Sequence, residues 1–185
     1  MARGERGYSV VELTAAAGLF FIVLTGALVF FAAQSRLEWI SRGQYDVQTA
    51  ANRVLDNLVE GERRTWDGAE VRGLRYASGV AIGPEGICFR TRDHIVTYYR
   101  QESTLCRRVD PATPGPLEVT AAGGTLVLEH VTFFSASSEE YLLTYPDGSQ
   151  TAALAVTLEL AVRKDAEQDI ALSTSVRLRN WAPGP

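Results

Sequence analysis

Chemistry-bearing residues are scarce in this sequence of 185 residues. Its two histidines, His94 and His130, stand far apart without metal-ligand spacing, and each reads as a turn or surface residue at a strand edge. No Gly-x-Ser-x-Gly, no phosphate-cradling glycine loop and no cluster of Cys and His ligands occurs. The chain therefore does not look like an enzyme, and nothing in it calls for a cofactor. Asp165, Glu167 and Asp169 alternate as the oxygen ligands of a calcium loop do, but a solvated hairpin turn is the simpler reading. Lysine is nearly missing: Lys164 is the only one, and every other long cationic side chain is an arginine. With a formal net charge of -4, the chain has no broad electrostatic attraction for nucleic acid, so direct nucleic-acid binding is not expected.

What is present is organised around the N-terminus. A basic stub, residues 1–7, precedes an apolar run from Leu13 to Ala33 that only Thr14 and Thr25 interrupt. At helical rise this run spans roughly 30 Å, the hydrocarbon thickness of a bilayer. A secretory signal peptide is excluded on three counts: the run is too long, no small-x-small cleavage site follows it, and Glu12 sits just inside its start. A carboxylate at a membrane's edge normally has a partner and a purpose. Arg3 and Arg6 favour a cytoplasmic N-terminus, which leaves the bulk of the chain extracytoplasmic.

These residues carry a family resemblance. A short charged leader ending in Gly7, an aromatic start at Tyr8 and a glutamate, Glu12, as the fifth residue after it, followed by about twenty apolar residues, together resemble a class III, prepilin-type signal. The usual family start, Phe-Thr-Leu-Ile-Glu, differs from Tyr8-Ser9-Val10-Val11-Glu12 only by like-for-like replacement. The resemblance implies cleavage between Gly7 and Tyr8 by a membrane prepilin peptidase, N-methylation of Tyr8, and a role for Glu12 in filament assembly. The structural alternative is an ordinary signal anchor whose glutamate complements a helix dipole.

Beyond the anchor the helical pattern continues. Residues 34–64 contain no proline, and Leu37, Ile40, Gln44, Val47, Ala51, Val54 and Leu58 form one seam at spacings of three and four. One helix is therefore expected from about Tyr8 to Arg64, its second half covering the chain's own sheet. From Trp66 onward short strands alternate with turns. Val80–Ile82 and Ile87–Phe89 flank Gly83-Pro84-Glu85-Gly86, Ile95–Tyr99 and Leu105–Val109 form a second hairpin, and Leu154–Leu160 with Ile170–Leu178 form a third. Leu126–Leu128, Val131–Phe134 and Tyr141–Tyr145 read as separate strands, and Asp110–Pro116 as a loop. The fold class is α+β: a long N-terminal helix, half transmembrane and half amphipathic, on an antiparallel sheet in the manner of a pilin. The partition is leader 1–7, anchor 8–33, amphipathic helix 34–64 and β-rich domain 65–185.

The hairpin Ile95-Val96-Thr97-Tyr98-Tyr99-Arg100 with Leu105-Cys106-Arg107-Arg108 resembles one found in minor pilins of the PilW type and in J-type pseudopilins of type II secretion. The close, Leu172 to Asn180, is more similar to the PilW type. A mid-anchor proline, common in major pilins, is missing near Val29, and no cysteine pair encloses a C-terminal loop, so the resemblance implies a minor component. Its partners would be prepilin peptidase and other pilins or pseudopilins. It would reside in the inner membrane, single-pass, and then in a pilus or pseudopilus. A membrane-tethered binding domain that never polymerises is the rival of another class. Cys88 and Cys106 are the only cysteines, and in an extracytoplasmic domain a disulfide between them is the default. A simple meander would hold them roughly 9–10 Å apart on strands separated by a third, beyond disulfide reach. A bridge therefore requires another strand order, and the alternative is two buried thiols.

Overall fold

The computed structural model describes residues 9–66, 69–163, 169–179 and 181. The described residues form one long helix, α1 (Val10–Glu60), a 3-10 turn at Leu74–Tyr76 and ten strands. These are β1 (Gly61–Trp66), β2 (Ala69–Arg72), β3 (Gly79–Gly83), β4 (Gly86–Arg90), β5 (His94–Gln101), β6 (Thr104–Pro111), β7 (Thr125–Glu129), β8 (Val131–Thr144), β9 (Gln150–Val162) and β10 (Ile170–Arg177). The α+β class is as expected. Two compact units divide the chain, residues 1–44 and residues 45–185.

α1 passes through Gly43 but stops before Gly61, short of the expected Arg64. Gly61 takes a left-handed φ of +99°, the conformation in which helices commonly end. A Cβ there would collide with the Val71 carbonyl oxygen, and one on Gly73 would collide with the Val59 carbonyl oxygen. Two bare backbones thus let the β1–β2 ribbon fold back against the helix end. The apolar seam is only half used. Ala51, Val54, Leu55, Leu58 and Val59 are buried in the domain core, with Val47 partly so. Leu37 is 65% exposed and Gln44 is also exposed, because both precede the residues of the second unit. The Ile40 side chain lies outside the described residues.

β3 to β7 form a five-stranded antiparallel meander, and β8 to β10 a three-stranded one. Two-residue turns close the first hairpins at Pro84-Glu85 and at Glu102-Ser103, where Glu102 accepts a φ of +56°. Residues Val131–Thr144, expected as two strands, form a single one. The polar stretch Ser135–Glu140 does not break it, because each of its residues pairs with one of Glu159–Leu154 on β9. β7 carries one extra residue, Val127, between the pairs Leu105–Leu128 and Cys106–Leu126.

Alternation sorts each strand into two faces. Ile87, Phe89, Val96, Tyr98, Leu105 and Leu128 join the helix seam in one core, together with Phe134, Leu154, Val156, Leu158, Leu160 and Val176 from the second meander. Cys88, Thr97, Tyr99 and Cys106 point from the opposite face of the five-stranded sheet. Of the two alternatives left open for Cys88 and Cys106, a disulfide and two buried thiols, the structure has the second: both thiols are free and buried. Strand β5 lies between them, with Cys88 opposite Thr97 and Cys106 opposite Tyr99, so two strand spacings of about 4.8 Å keep the sulfurs apart.

Residues 112–124 cross that outer face as a strap. Val119 packs where Gly83 and Gly86 present no side chain, and Leu117 reaches Gly79. The strap is fastened by the Arg90 guanidinium donating to the Gly115 carbonyl (2.5 Å), by Arg108 donating to the Ala122 carbonyl (3.2 Å), and by the Gly124 N–H donating to the Tyr99 hydroxyl (3.0 Å). An open cleft of about 560 Å³ remains between the strap and the β3–β4 turn, lined by Ile82, Pro84, Tyr99, Leu117 and Val119 among others.

Candidate functional site

The start of α1 is built by a Ser-x-x-Glu sequence. Ser9 precedes the first helical residue; its hydroxyl accepts from the Val11 N–H at 3.3 Å, and its carbonyl accepts from the Leu13 N–H at 3.0 Å. The Glu12 carboxylate turns back to accept the Ser9 N–H at 3.0 Å. This is a capping box, in which two donors that a helix start leaves unpaired are satisfied by side chains. The negative charge also sits at the positive end of the helix dipole.

The surface that follows is uniformly apolar. Thr14 donates its hydroxyl to the Val11 carbonyl at 3.0 Å and Thr25 donates to the Phe21 carbonyl at 2.8 Å, so both polar interruptions are folded into the helix backbone. Leu19, Phe20, Phe21, Ile22, Val23, Leu28, Val29, Phe30 and Phe31 each expose more than six-tenths of their surface. By length and composition α1 can cross a membrane, with a window of mean hydropathy 2.4 that buries nothing within the chain. Soluble single-chain surfaces rarely present so large a contiguous apolar area, and such an area marks contact with lipid or protein.

No family model, curated protein or solved structure matches the chain. The reading of this site therefore rests on its residues alone.

Gly7 and Tyr8, the expected cleavage and methylation positions, lie outside the described residues, as do Asp165 and Glu167. Asp169 is engaged: Arg163 grips it from Nε at 2.6 Å and Nη2 at 2.9 Å. That hydrogen bonding holds the Asp169 carboxyl below its usual range, and a carboxylate so held is not a free calcium ligand. His94 opens β5, with its Nδ1 buried and unpaired among the described residues; its carbonyl accepts from the Thr91 N–H and its own N–H donates to the Thr91 hydroxyl. His130 occupies the β7–β8 turn at φ +61°, where its carbonyl accepts from the Arg163 N–H. Among the described residues no three His, Cys, Asp or Glu side chains converge on a metal position. Burial pushes the Cys88 thiol up from its ordinary value, partly opposed by the hydrogen bond from Thr97, which makes it a poor nucleophile.

One polar cluster went unread in the sequence. Arg107 shares the core-facing alternation with Leu105, and its Nη1 donates to the Glu62 carboxylate on β1 at 2.6 Å. Beside it Tyr98, 2% exposed, is pushed up to about 12 by burial, with Arg107 opposing and Glu62 reinforcing the shift. The signal was available: an arginine at an inward position of an alternating strand needs a partner there.

Proposed function

We propose that this chain is a minor subunit of a type IV pilus-like filament. The first half of α1 holds it in the cytoplasmic membrane, with the β-rich domain on the extracytoplasmic side. The observation that carries this reading is one uninterrupted helix with two kinds of surface. Its apolar half buries nothing within the chain, whereas its second half supplies Ala51, Val54, Leu55, Leu58 and Val59 to the domain core. Such a helix links a folded domain to whatever surrounds the apolar half, first lipid and then neighbouring helices of the same kind. In this reading prepilin peptidase cuts behind Gly7, Tyr8 is methylated, and the processed subunit joins other pilins through α1. A pseudopilin of type II secretion would use the same chemistry.

Glu12 supplies the selectivity. Near a membrane surface its carboxylate reaches water or headgroups, but between packed apolar helices it does not, and an uncompensated charge there costs several kcal/mol. The nearest described cation along the helix is Arg36, about 36 Å away by rise per residue. Cleavage creates a nearer one, the Tyr8 amine. Processed subunits then carry the partner that Glu12 needs, on their own chain or to offer a neighbour. A second reading, a membrane-tethered domain that never polymerises, draws on the capping box: Glu12 already has an acceptor's role at Ser9. Glu12→Val separates the two. In the filament reading the variant is inserted and cleaved yet absent from sheared filaments that contain the wild type. Assembly of the variant at the wild-type level would show that Glu12 is only a cap.

A further inference from the structure

Strands β8 and β9 outrun the rest of their sheet. β10 pairs with β9 only from Ala155 to Val162, and a hydrogen bond from the Leu178 N–H to the Leu154 carbonyl, 3.0 Å, ends its cover. From Glu140–Leu154 to Thr144–Gln150 the hairpin is therefore a two-stranded arm among the described residues. Its outer strand, β8, is also the edge of the sheet. The start of that edge is engaged: the Val131 N–H donates to the Ser103 carbonyl, and the Thr132 carbonyl accepts from Arg100. Over Ser135–Thr144 only the pairing with β9 reaches the backbone among the described residues. The arm is apolar there, with Tyr141, Leu142 and Leu143 in sequence; Leu142 is 65% exposed and Tyr145, just beyond, 45%. Two strands alone are marginal in water, and a third adds the support they lack. Exposed edges are normally guarded by charge or proline. The only charges on β8, Glu139 and Glu140, stand to one side of the apolar run.

We propose that this arm pairs with the same arm of a second copy of the chain, β8 against β8, antiparallel, about a two-fold axis at Leu142. The order of residues on the strand selects the occupant. In that register Leu142 faces Leu142 of the second copy, and Tyr141 faces Leu143 of the second copy. Glu140 faces Thr144 of the second copy, whose hydroxyl accepts from Gln150 at 3.4 Å and keeps its own proton to donate. Glu139 falls beside Tyr145 of the second copy. Apolar residues thus meet apolar ones and a carboxylate meets a hydroxyl donor, the pairs that stabilise neighbouring strands. A foreign strand must carry a separate match to this order, whereas a second copy carries it by symmetry. Other axes fit worse. One at Glu140 sets that glutamate against its own copy, one at Tyr141 sets both glutamates against leucines, and one at Leu143 gives up the Leu142 pair.

The test is disulfide trapping of the purified full-length chain in detergent micelles under mild oxidation, read on a non-reducing gel. The native thiols are buried, so the wild type is expected to give no linked dimer. Leu142→Cys should give one, because directly opposite residues on paired strands lie about 5 Å apart, within disulfide reach. Glu140→Cys alone and Thr144→Cys alone put the two thiols about 14 Å apart along the strands and should stay monomeric. An equal mixture of Glu140→Cys and Thr144→Cys should give the dimer again. All three positions are exposed, so each variant should keep the wild-type near-ultraviolet circular dichroism. A monomeric Leu142→Cys, or a mixture that stays monomeric, overturns the pairing with a second copy and leaves the edge to a foreign strand or to none. Equal yields from Leu142→Cys, Glu140→Cys and Thr144→Cys, each alone, overturn it as well, since crowding in the micelle has no register.

Discussion

Leu58→Ala probes the point where the helix becomes part of the domain. Leu58 has no exposed surface and sits in the core with Val54, Leu55, Val71 and Leu74. Truncation removes three carbon atoms' worth of buried apolar volume and leaves a cavity that the surrounding core closes only in part. Leucine-to-alanine changes at such sites cost about 2–5 kcal/mol, and complete burial puts Leu58 in the middle of that range. For a unit of this size each kcal/mol moves the midpoint by about 2–4 °C, so a fall on the order of 10 °C is expected. The assay is a thermal melt of the full chain in detergent, read by near-ultraviolet circular dichroism, which reports packed aromatics rather than the anchor helix. Leu37→Ala is the control: the same seam, but 65% exposed, where a change within about 0.5 kcal/mol is expected. Equal midpoints for wild type and Leu58→Ala would refute the packing of α1 on the sheet.

Tyr98 predicts a pH effect with a definite sign. Its folded value is raised from 10.0 to about 12, so the stability it contributes is complete below the unfolded value and is lost as pH rises through that window. Denaturant midpoints should fall more steeply over that interval in wild type than in Tyr98→Phe; parallel profiles would remove Tyr98 as the cause. The cysteines predict a reagent effect. Both being free and buried, the native chain should resist a thiol reagent that labels both residues once the chain is denatured, and an unlabelled denatured chain would mean a disulfide after all.

Local chemistry made much of the fold legible. Gly-Pro-Glu-Gly marks the β3–β4 turn because Pro84 and the flanking glycines suit a tight reversal, and the alternation of Leu154–Leu160 identifies β9. The misses came from partners distant in sequence. Gly43 and Gly61 look alike in the chain, but α1 runs through Gly43 and ends at Gly61, which meets the β2 backbone. Ser135–Glu140 carries few apolar residues, and its strand is held by pairing with β9 rather than by its own pattern. Asp110–Pro116 read as a plain loop, whereas β6 runs on through Pro111 and residues 112–124 pack as a strap, which was not legible because the glycines that receive Val119 are on β3 and β4. At the helix start, Ser9 and Glu12 are three residues apart and their capping geometry was within reach of the sequence. The partners of Arg107 needed the fold, because Glu62 and Tyr98 come from two other strands.

The central claim, that α1 is a processed filament helix, is tested most directly by the intact mass of the chain recovered from the membranes of the cells that make it. The account predicts loss of residues 1–7, a chain beginning at Tyr8, and the added mass of one methyl group on its amine. A chain that retains its leader and starts at or before Gly7 would contradict it and leave α1 as an ordinary membrane tether.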